Sequence, residues 1–407
     1  MSLTNIKTSE GEPVVEPRNR LKELMAGLCN LELAGALLVY SRDVFYYTGT
    51  AQPSCLAVFP DDYLLFIRSG FEFAVDEVFI GEEKLREERS LEKICKDFFS
   101  RVKGTGNKVG MELDIITAEQ FRSLEKIFSS CELVNISPTI QNQRKAKDRS
   151  EIAIIKRACD AIHKGHEAVV STLTEGMTEL ELAAAVENSH RLAGHEGIFF
   201  IRQPDFFMSR GPLSSGSNLF KISGVVYTIT GVGLSPSVPA GPSRRKISRG
   251  DPIIVDIPTL VDGYHADQTR TYCIGEAHEG IRSLYADLRA IADHLISRAR
   301  PGITCSELYQ MAVEKAADLG RTDHFLNFGR GKRSRLLGHG IGLELNEPPI
   351  ISEHDHTPIP GNCVIALDIH MMQTEVGVVK LEDMILIADE GNEILTKSPR
   401  ELFEISP

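Results

Sequence analysis

Asp256 stands in the otherwise apolar run Ile253-Ile254-Val255-Asp256-Ile257. A carboxylate there is costly to bury unless it is paired or on a metal. Eleven residues on is Asp267, and an Asp262-Gly263 turn lies between them. A hairpin at that turn brings the two acids close together. Their mutual repulsion then calls for a cation. On these residues alone two remedies stand open, a divalent metal or an ion pair with Arg270. The pattern recurs downstream. Asp368 sits in Val364-Ile365-Ala366-Leu367-Asp368-Ile369-His370 and Glu382 in Val379-Lys380-Leu381-Glu382-Asp383-Met384-Ile385, on either side of Gly377. His339 lies in the glycine-rich turn Gly338-His339-Gly340-Ile341-Gly342. Four carboxylates and one imidazole form an oxygen-rich set suited to hard or borderline cations such as Mn²⁺, Co²⁺, Fe²⁺ or Zn²⁺. A pair of such ions can share a water and polarise a carbonyl.

Several elements must position these groups. Residues up to about 140 alternate between helical and strand patterns, with helices over 21–33 and 90–102 and strands over 36–40, 63–67 and 133–136. The polar stretch 141–149 marks a domain boundary. Beyond it, Gly176-Met177-Thr178-Glu179-Leu180-Glu181 and Gly302-Ile303-Thr304-Cys305-Ser306-Glu307 each lead into a helix through a Thr/Glu capping box. Their matched lead-ins point to an internally duplicated domain. The segments 253–257 with 269–274, and 364–370 with 378–387, read as hairpins. The Gly/Ser/Pro-rich segment 197–242 reads as long loops.

The totals bound the partners. The chain has 407 residues, 25% of them charged, and a formal net charge of −12, which argues against nucleic acid or an anionic membrane as partner. No apolar run reaches the ~20 residues that span a bilayer. Met1–Pro17 is polar and acidic and is expected to be a flexible N-terminus, not a secretory signal. Eight scattered cysteines without Cys-x-x-Cys spacing read as reduced, mostly buried thiols of a cytoplasmic protein.

Three passages carry a resemblance. Val255-Asp256-Ile257 with Gly263-Tyr264-His265-Ala266-Asp267-Gln268-Thr269-Arg270-Thr271 is the first. Gly338-His339-Gly340-Ile341-Gly342-Leu343-Glu344 with Glu347-Pro348-Pro349 is the second, and Leu381-Glu382-Asp383-Met384 the third. In this order they resemble the signatures of the creatinase/prolidase/aminopeptidase P family. The N-terminal region resembles that family's first domain at Arg20-Leu21, Ala36-Leu37-Leu38-Val39 and Tyr46-Tyr47-Thr48-Gly49. The resemblance implies an α/β (α+β) chain, with a creatinase-like domain over 18–145 and a pita-bread metallohydrolase domain with a pseudo-two-fold repeat over 146–407. It implies two divalent metal ions, Mn²⁺ first and Co²⁺, Zn²⁺ or Fe²⁺ as alternatives. Asp256 would hold one metal, Asp267 and Glu382 would bridge both, and His339 and Asp368 would complete the other. It further implies a homodimer acting on a small peptide, as an Xaa-Pro aminopeptidase or dipeptidase.

Three positions depart from the family pattern. Asp368 stands where the pattern has glutamate, Asn346 where it has histidine, and Ala240 where it has a second histidine. Asparagine can still donate to an oxyanion but cannot shuttle a proton. His370, two residues from Asp368 on one strand face, is the candidate replacement. The candidate catalytic set is therefore Asp368, Asn346 and His370. His265 stands in the same relation to Asp267. Its other reading is a neutral histidine beside a carboxylate. His163 and His166 read as a solvated helix face, and His354 and His356 as surface. Two further functions stay open. One is cleavage of another small C–N or C–heteroatom substrate. The other is a non-catalytic binding module, which the retained ligand-type residues and the absence of an acidic tail before Pro407 disfavour.

Overall fold

The computed structural model describes residues 19–102, 107–203, 210–222 and 228–406. The expected flexible N-terminus 1–17 lies outside them, as do parts of the loop region 197–242. The chain divides into two compact units. One ends at Arg144 and takes in Asp148–Ser150; the other comprises Lys145–Lys147 and Glu151–Pro407.

The first unit is a six-stranded mixed sheet flanked by helices. Its central strand Gly35–Leu38 pairs antiparallel with Ser54–Val58 and parallel with Lys108–Met111. The helix expected over 90–102 runs Leu91–Arg101 and is capped by the Ser90 side chain. Its buried face carries Phe98, whose ring meets Phe59 and Phe128 at the centre of the core. Ser137–Lys145 is helical although it is polar. Pro138 falls in its first turn, where the missing N–H costs nothing.

The second unit repeats one motif. Helices Arg149–Thr172 and Glu179–Leu192 are followed by strands, and so are helices Glu279–Arg298 and Cys305–Asp318. Both expected capping boxes are formed, Thr178 with Glu181 and Thr304 with Glu307. Gly176 and Gly302 precede them at φ +85° and +87°, a left-handed conformation that glycine adopts without strain. This repeat is what the pita-bread expectation requires. The strands of both halves join in one nine-stranded sheet. At its centre the hairpin Cys363–Gln373/Gly377–Ile387 lies beside Thr269–Ile274, which pairs in turn with Pro252–Asp256.

The Asp262-Gly263 turn closes a smaller hairpin than expected, Thr259–Val261 with Tyr264–Ala266, set between the two sheet strands. The first half of the repeat is anchored by Glu179, a buried carboxylate. It accepts hydrogen bonds from Ser215 N and Oγ, Asn218 Nδ2, and Ser243 N and Oγ. Among the described residues no helix is long and apolar enough to cross a membrane. All eight cysteines are free thiols and six of them are buried.

Candidate metal centre and its cavity

Register places the acids. In the Gly377 hairpin Asp368 is directly opposite Glu382, and Glu382 is opposite Thr269 on its other side. Thr269 is in turn opposite Asp256. Four adjacent strands thus bring Asp368, Glu382, Thr269 and Asp256 to one level, in that order across the sheet. Asp267 enters from just before Thr269, and His339 from Leu336–Gly340, which pairs with the other edge of the hairpin. All five side chains line one cavity of about 370 Å³. Asn346 lines it as well, together with Arg202, Gln203, Thr228 and Thr230, which the sequence reading passed over.

One side chain each from Asp267, His339 and Glu382 places a ligand-type atom within 4.8 Å of the others. His339 Nδ1 lies 3.0 Å from Gly340 O, so that nitrogen donates and Nε2 keeps its lone pair. Burial lowers the His339 pKa, which favours the neutral imidazole that metals take. Glu382 Oε2 accepts from Thr269 Oγ1 at 2.8 Å. Glu382 Oε1 is a buried acceptor without a hydrogen bond, and Asp368 Oδ1 has only the Lys380 ammonium, 3.1 Å away. A buried acceptor left unpaired is expensive, and a divalent ion satisfies it. These residues therefore fit the metal that the resemblance implies, and Arg270 is not the cation that answers Asp256 and Asp267. Arg270 binds elsewhere, to Asp383 Oδ1 at 2.7 Å on the opposite face of the sheet strand.

Electrostatics agree. Burial and the neighbouring Asp256 push Asp267 well above the usual carboxylate range. Burial, then Asp267 and Asp368, does the same to Glu382. A raised pKa favours the protonated carboxyl, and a metal competes with that proton. Mn²⁺ affinity should accordingly tighten as pH rises, by up to about tenfold per unit for each proton displaced. Calorimetric titration in two buffers of different ionisation enthalpy counts those protons. An affinity flat across pH 5 to 8 would contradict this assignment.

One residue at the site went unnoticed in the sequence. Lys380, fully buried, points into the carboxylates: its Nζ lies 2.5 Å from Asp256 Oδ2, 3.1 Å from Asp368 Oδ1 and 3.6 Å from Glu382 Oε2. Strand alternation was the available signal, since residue 380 shares a face with 382.

The spare histidines are corrected by the structure. His370 does not line the cavity. Its Nε2 lies 3.2 Å from Asn327 O and its ring stacks on Phe328, while burial lowers its pKa to about 4. Sharing a strand face with Asp368 was not enough, because the ring turns to Asn327. His265 is held by Gly342 O at Nδ1 and by Phe200 N at Nε2, so both nitrogens are committed to backbone. His166 is buried, not solvated, with Nδ1 2.8 Å from Tyr272 Oη. His354 and His356 are exposed as expected.

Comparison with known proteins agrees with this architecture. Residues 20–146 match the Creatinase/Prolidase N-terminal domain. The Xaa-Pro dipeptidase of Pyrococcus furiosus is 27% identical over 391 residues, 95% of this chain and all of that one. The prolidase of Pyrococcus horikoshii superposes with a TM-score of 0.77 at 25% identity, covering 95% of this chain and 100% of that one. An Xaa-Pro dipeptidase from Bacillus anthracis gives 0.79 at 21% identity, over 95% and 99%. Residues 153–389, more than half of the chain, match the metallopeptidase family M24 model, and the chain belongs to that family.

Proposed function

We propose that this protein is a metal-dependent peptidase of the Xaa-Pro type, acting on dipeptides or similarly small peptides. The observation that carries the reading is the Asp267–His339–Glu382 cluster, with the free Oε1 of Glu382, at one wall of a cavity of about 370 Å³. A cavity of that size suits a small ligand. Likeness to the Xaa-Pro dipeptidase of Pyrococcus furiosus supports the substrate class. In this reading 18–145 is the accessory domain and 146–407 carries the chemistry. Asp256, Asp267, His339, Asp368 and Glu382 hold two divalent ions, Mn²⁺ first. The protein is a cytoplasmic homodimer; its free thiols, six of the eight buried, fit a reducing compartment.

Bound divalent ions supply an activated water and an electrophile for the carbonyl. The chain's own groups do the rest. Asp368, which lines the cavity with Oδ1 3.1 Å from Lys380 Nζ, is the acceptor for the proton of the attacking water. The Asn346 side-chain amide donates to the carbonyl oxygen as it gains charge. No step is assigned to His370. Replacing Asn346 with alanine should lower kcat by about 10²-fold with little change in KM. Asn346→His should restore activity and add an inflection near about pH 6.5. Steady-state kinetics from pH 5 to 9 check both, and an Asn346→Ala enzyme as fast as wild type would remove that residue from the mechanism.

A second reading, cleavage of another small C–N bond, draws on one observation. Asn346 and Ala240 stand where the family pattern has two histidines. One substrate panel separates the two readings. Release of proline from Xaa-Pro dipeptides in preference to Xaa-Leu dipeptides and simple amides supports the peptidase. Turnover of small amides without proline release favours the alternative.

A further inference from the structure

We propose that Lys380 is a built-in cation for one side of the metal centre. The protein then takes one divalent ion tightly at Asp267–His339–Glu382, and a second only by displacing the Lys380 ammonium from Asp256 and Asp368. The inference rests on the metal-dependent reading above.

Three observations carry it. First, Nζ sits among carboxylate oxygens, within hydrogen-bond distance of Asp256 Oδ2 at 2.5 Å and 3.1 Å from Asp368 Oδ1. Those are the two carboxylates outside the three-residue cluster. Second, Lys380 has no exposed surface, and it is locked at the backbone. Its N–H donates to Thr271 Oγ1, whose hydroxyl donates to the Lys380 carbonyl. An ammonium so enclosed must be neutralised by the acids it touches. Third, Glu382 is divided between the two cationic positions. Oε2 faces Thr269 at 2.8 Å and Nζ at 3.6 Å, whereas Oε1 lies 3.9 Å from His339 Nε2 and has no hydrogen bond. One oxygen thus belongs to the lysine side and the other remains for a metal.

A divalent ion takes carboxylate oxygens at roughly 2.0–2.2 Å. It cannot share the Asp256 and Asp368 oxygens with Nζ at its present distances, and the two like charges repel. Binding of a second ion therefore requires the lysine to withdraw, and the affinity of that position falls by what the withdrawal costs. The cluster of Asp267, His339 and Glu382 Oε1 bears no such penalty, because Asp267 and His339 lie outside the ion pairs that Nζ makes.

The test is equilibrium dialysis of the chelated full-length protein against increasing Mn²⁺, with bound metal counted by elemental analysis. Wild type should fill one site per chain first, and need at least about tenfold more free Mn²⁺ for the second. Lys380→Met should hold two per chain at the concentration where wild type holds one. Its metal-free form should melt at a lower temperature than wild type and gain more on adding Mn²⁺. Lys380→Arg, which keeps the charge, should stay stepwise; it and the wild-type isotherm decide the matter if the methionine variant does not fold. Two equal sites in wild type, or a methionine variant that stops at one, would overturn the role of Lys380 and leave the peptidase reading intact. Stepwise filling with no dipeptide hydrolysis would sink the peptidase reading and keep the lysine's role. No bound metal in any variant overturns both.

Discussion

Glu382→Ala should lose metal and lower kcat/KM on an Xaa-Pro dipeptide by at least about 10³-fold. Glu382 is the residue on which the site converges. It is opposite Asp368 on one neighbouring strand and Thr269 on the other, and it contributes the free Oε1 to the cluster with Asp267 and His339. Thr269→Val gives a graded companion. It removes the hydroxyl that orients Glu382 Oε2 and also hydrogen-bonds Asp256, and a loss of about 10–100-fold in metal affinity is expected. Dipeptide kinetics and metal content measured on the same preparations check both variants. A Glu382→Ala protein that keeps its metal and most of its activity would remove this residue from the centre of the account.

The largest loss of stability is expected from Asp383→Ala, about 3–5 kcal/mol. Asp383 adjoins Glu382 but points to the opposite face of the strand, where it is completely enclosed. Its Oδ1 accepts from Arg270 and from Thr396 Oγ1, and its Oδ2 accepts from Arg400 Nε at 2.6 Å. Removing it strands the Arg270 guanidinium, itself 1% exposed, without its carboxylate partner. Urea unfolding measures the loss. The pH dependence gives an independent signature. Burial alone would raise the Asp383 pKa, but Arg270 and Arg400 overcome it and hold the carboxyl below its ordinary value. The native state therefore binds fewer protons here than the unfolded chain does. This stability is fully present above the unfolded pKa near 4 and disappears as pH falls through the folded value. The gap between wild type and variant should therefore narrow in acid. A gap that widened below pH 4 would contradict the assignment.

Much of this was legible in the sequence, for physical reasons. The capping boxes at Thr178 and Thr304 are local, set by residues three apart, and both form. The Gly377 turn fixes the register of a long antiparallel pair, so Asp368 had to come opposite Glu382. Acids in apolar strands marked buried charged sites because a carboxylate is costly to bury without a counter-charge or a metal. What the sequence hid depends on three-dimensional choices among neighbours. Arg270 could have paired with Asp256 or Asp267. It reaches instead through to Asp383, which strand alternation puts on the far face. His370 shares a face with Asp368, but its ring turns to Asn327 and Phe328. Strand alternation puts Lys380 on the face of Glu382, but the register that brings Asp256 within its reach, across the Thr269 strand, has no local signal.

The most direct test of the central claim is reconstitution. The protein is stripped with chelator, Mn²⁺ is returned in steps, and proline release from an Xaa-Pro dipeptide is followed against bound metal. The account predicts no release from the stripped protein and a rate that rises with occupancy of the cluster at Asp267, His339 and Glu382. Proline release that persists at full rate without metal, or its absence from fully loaded protein, would contradict it.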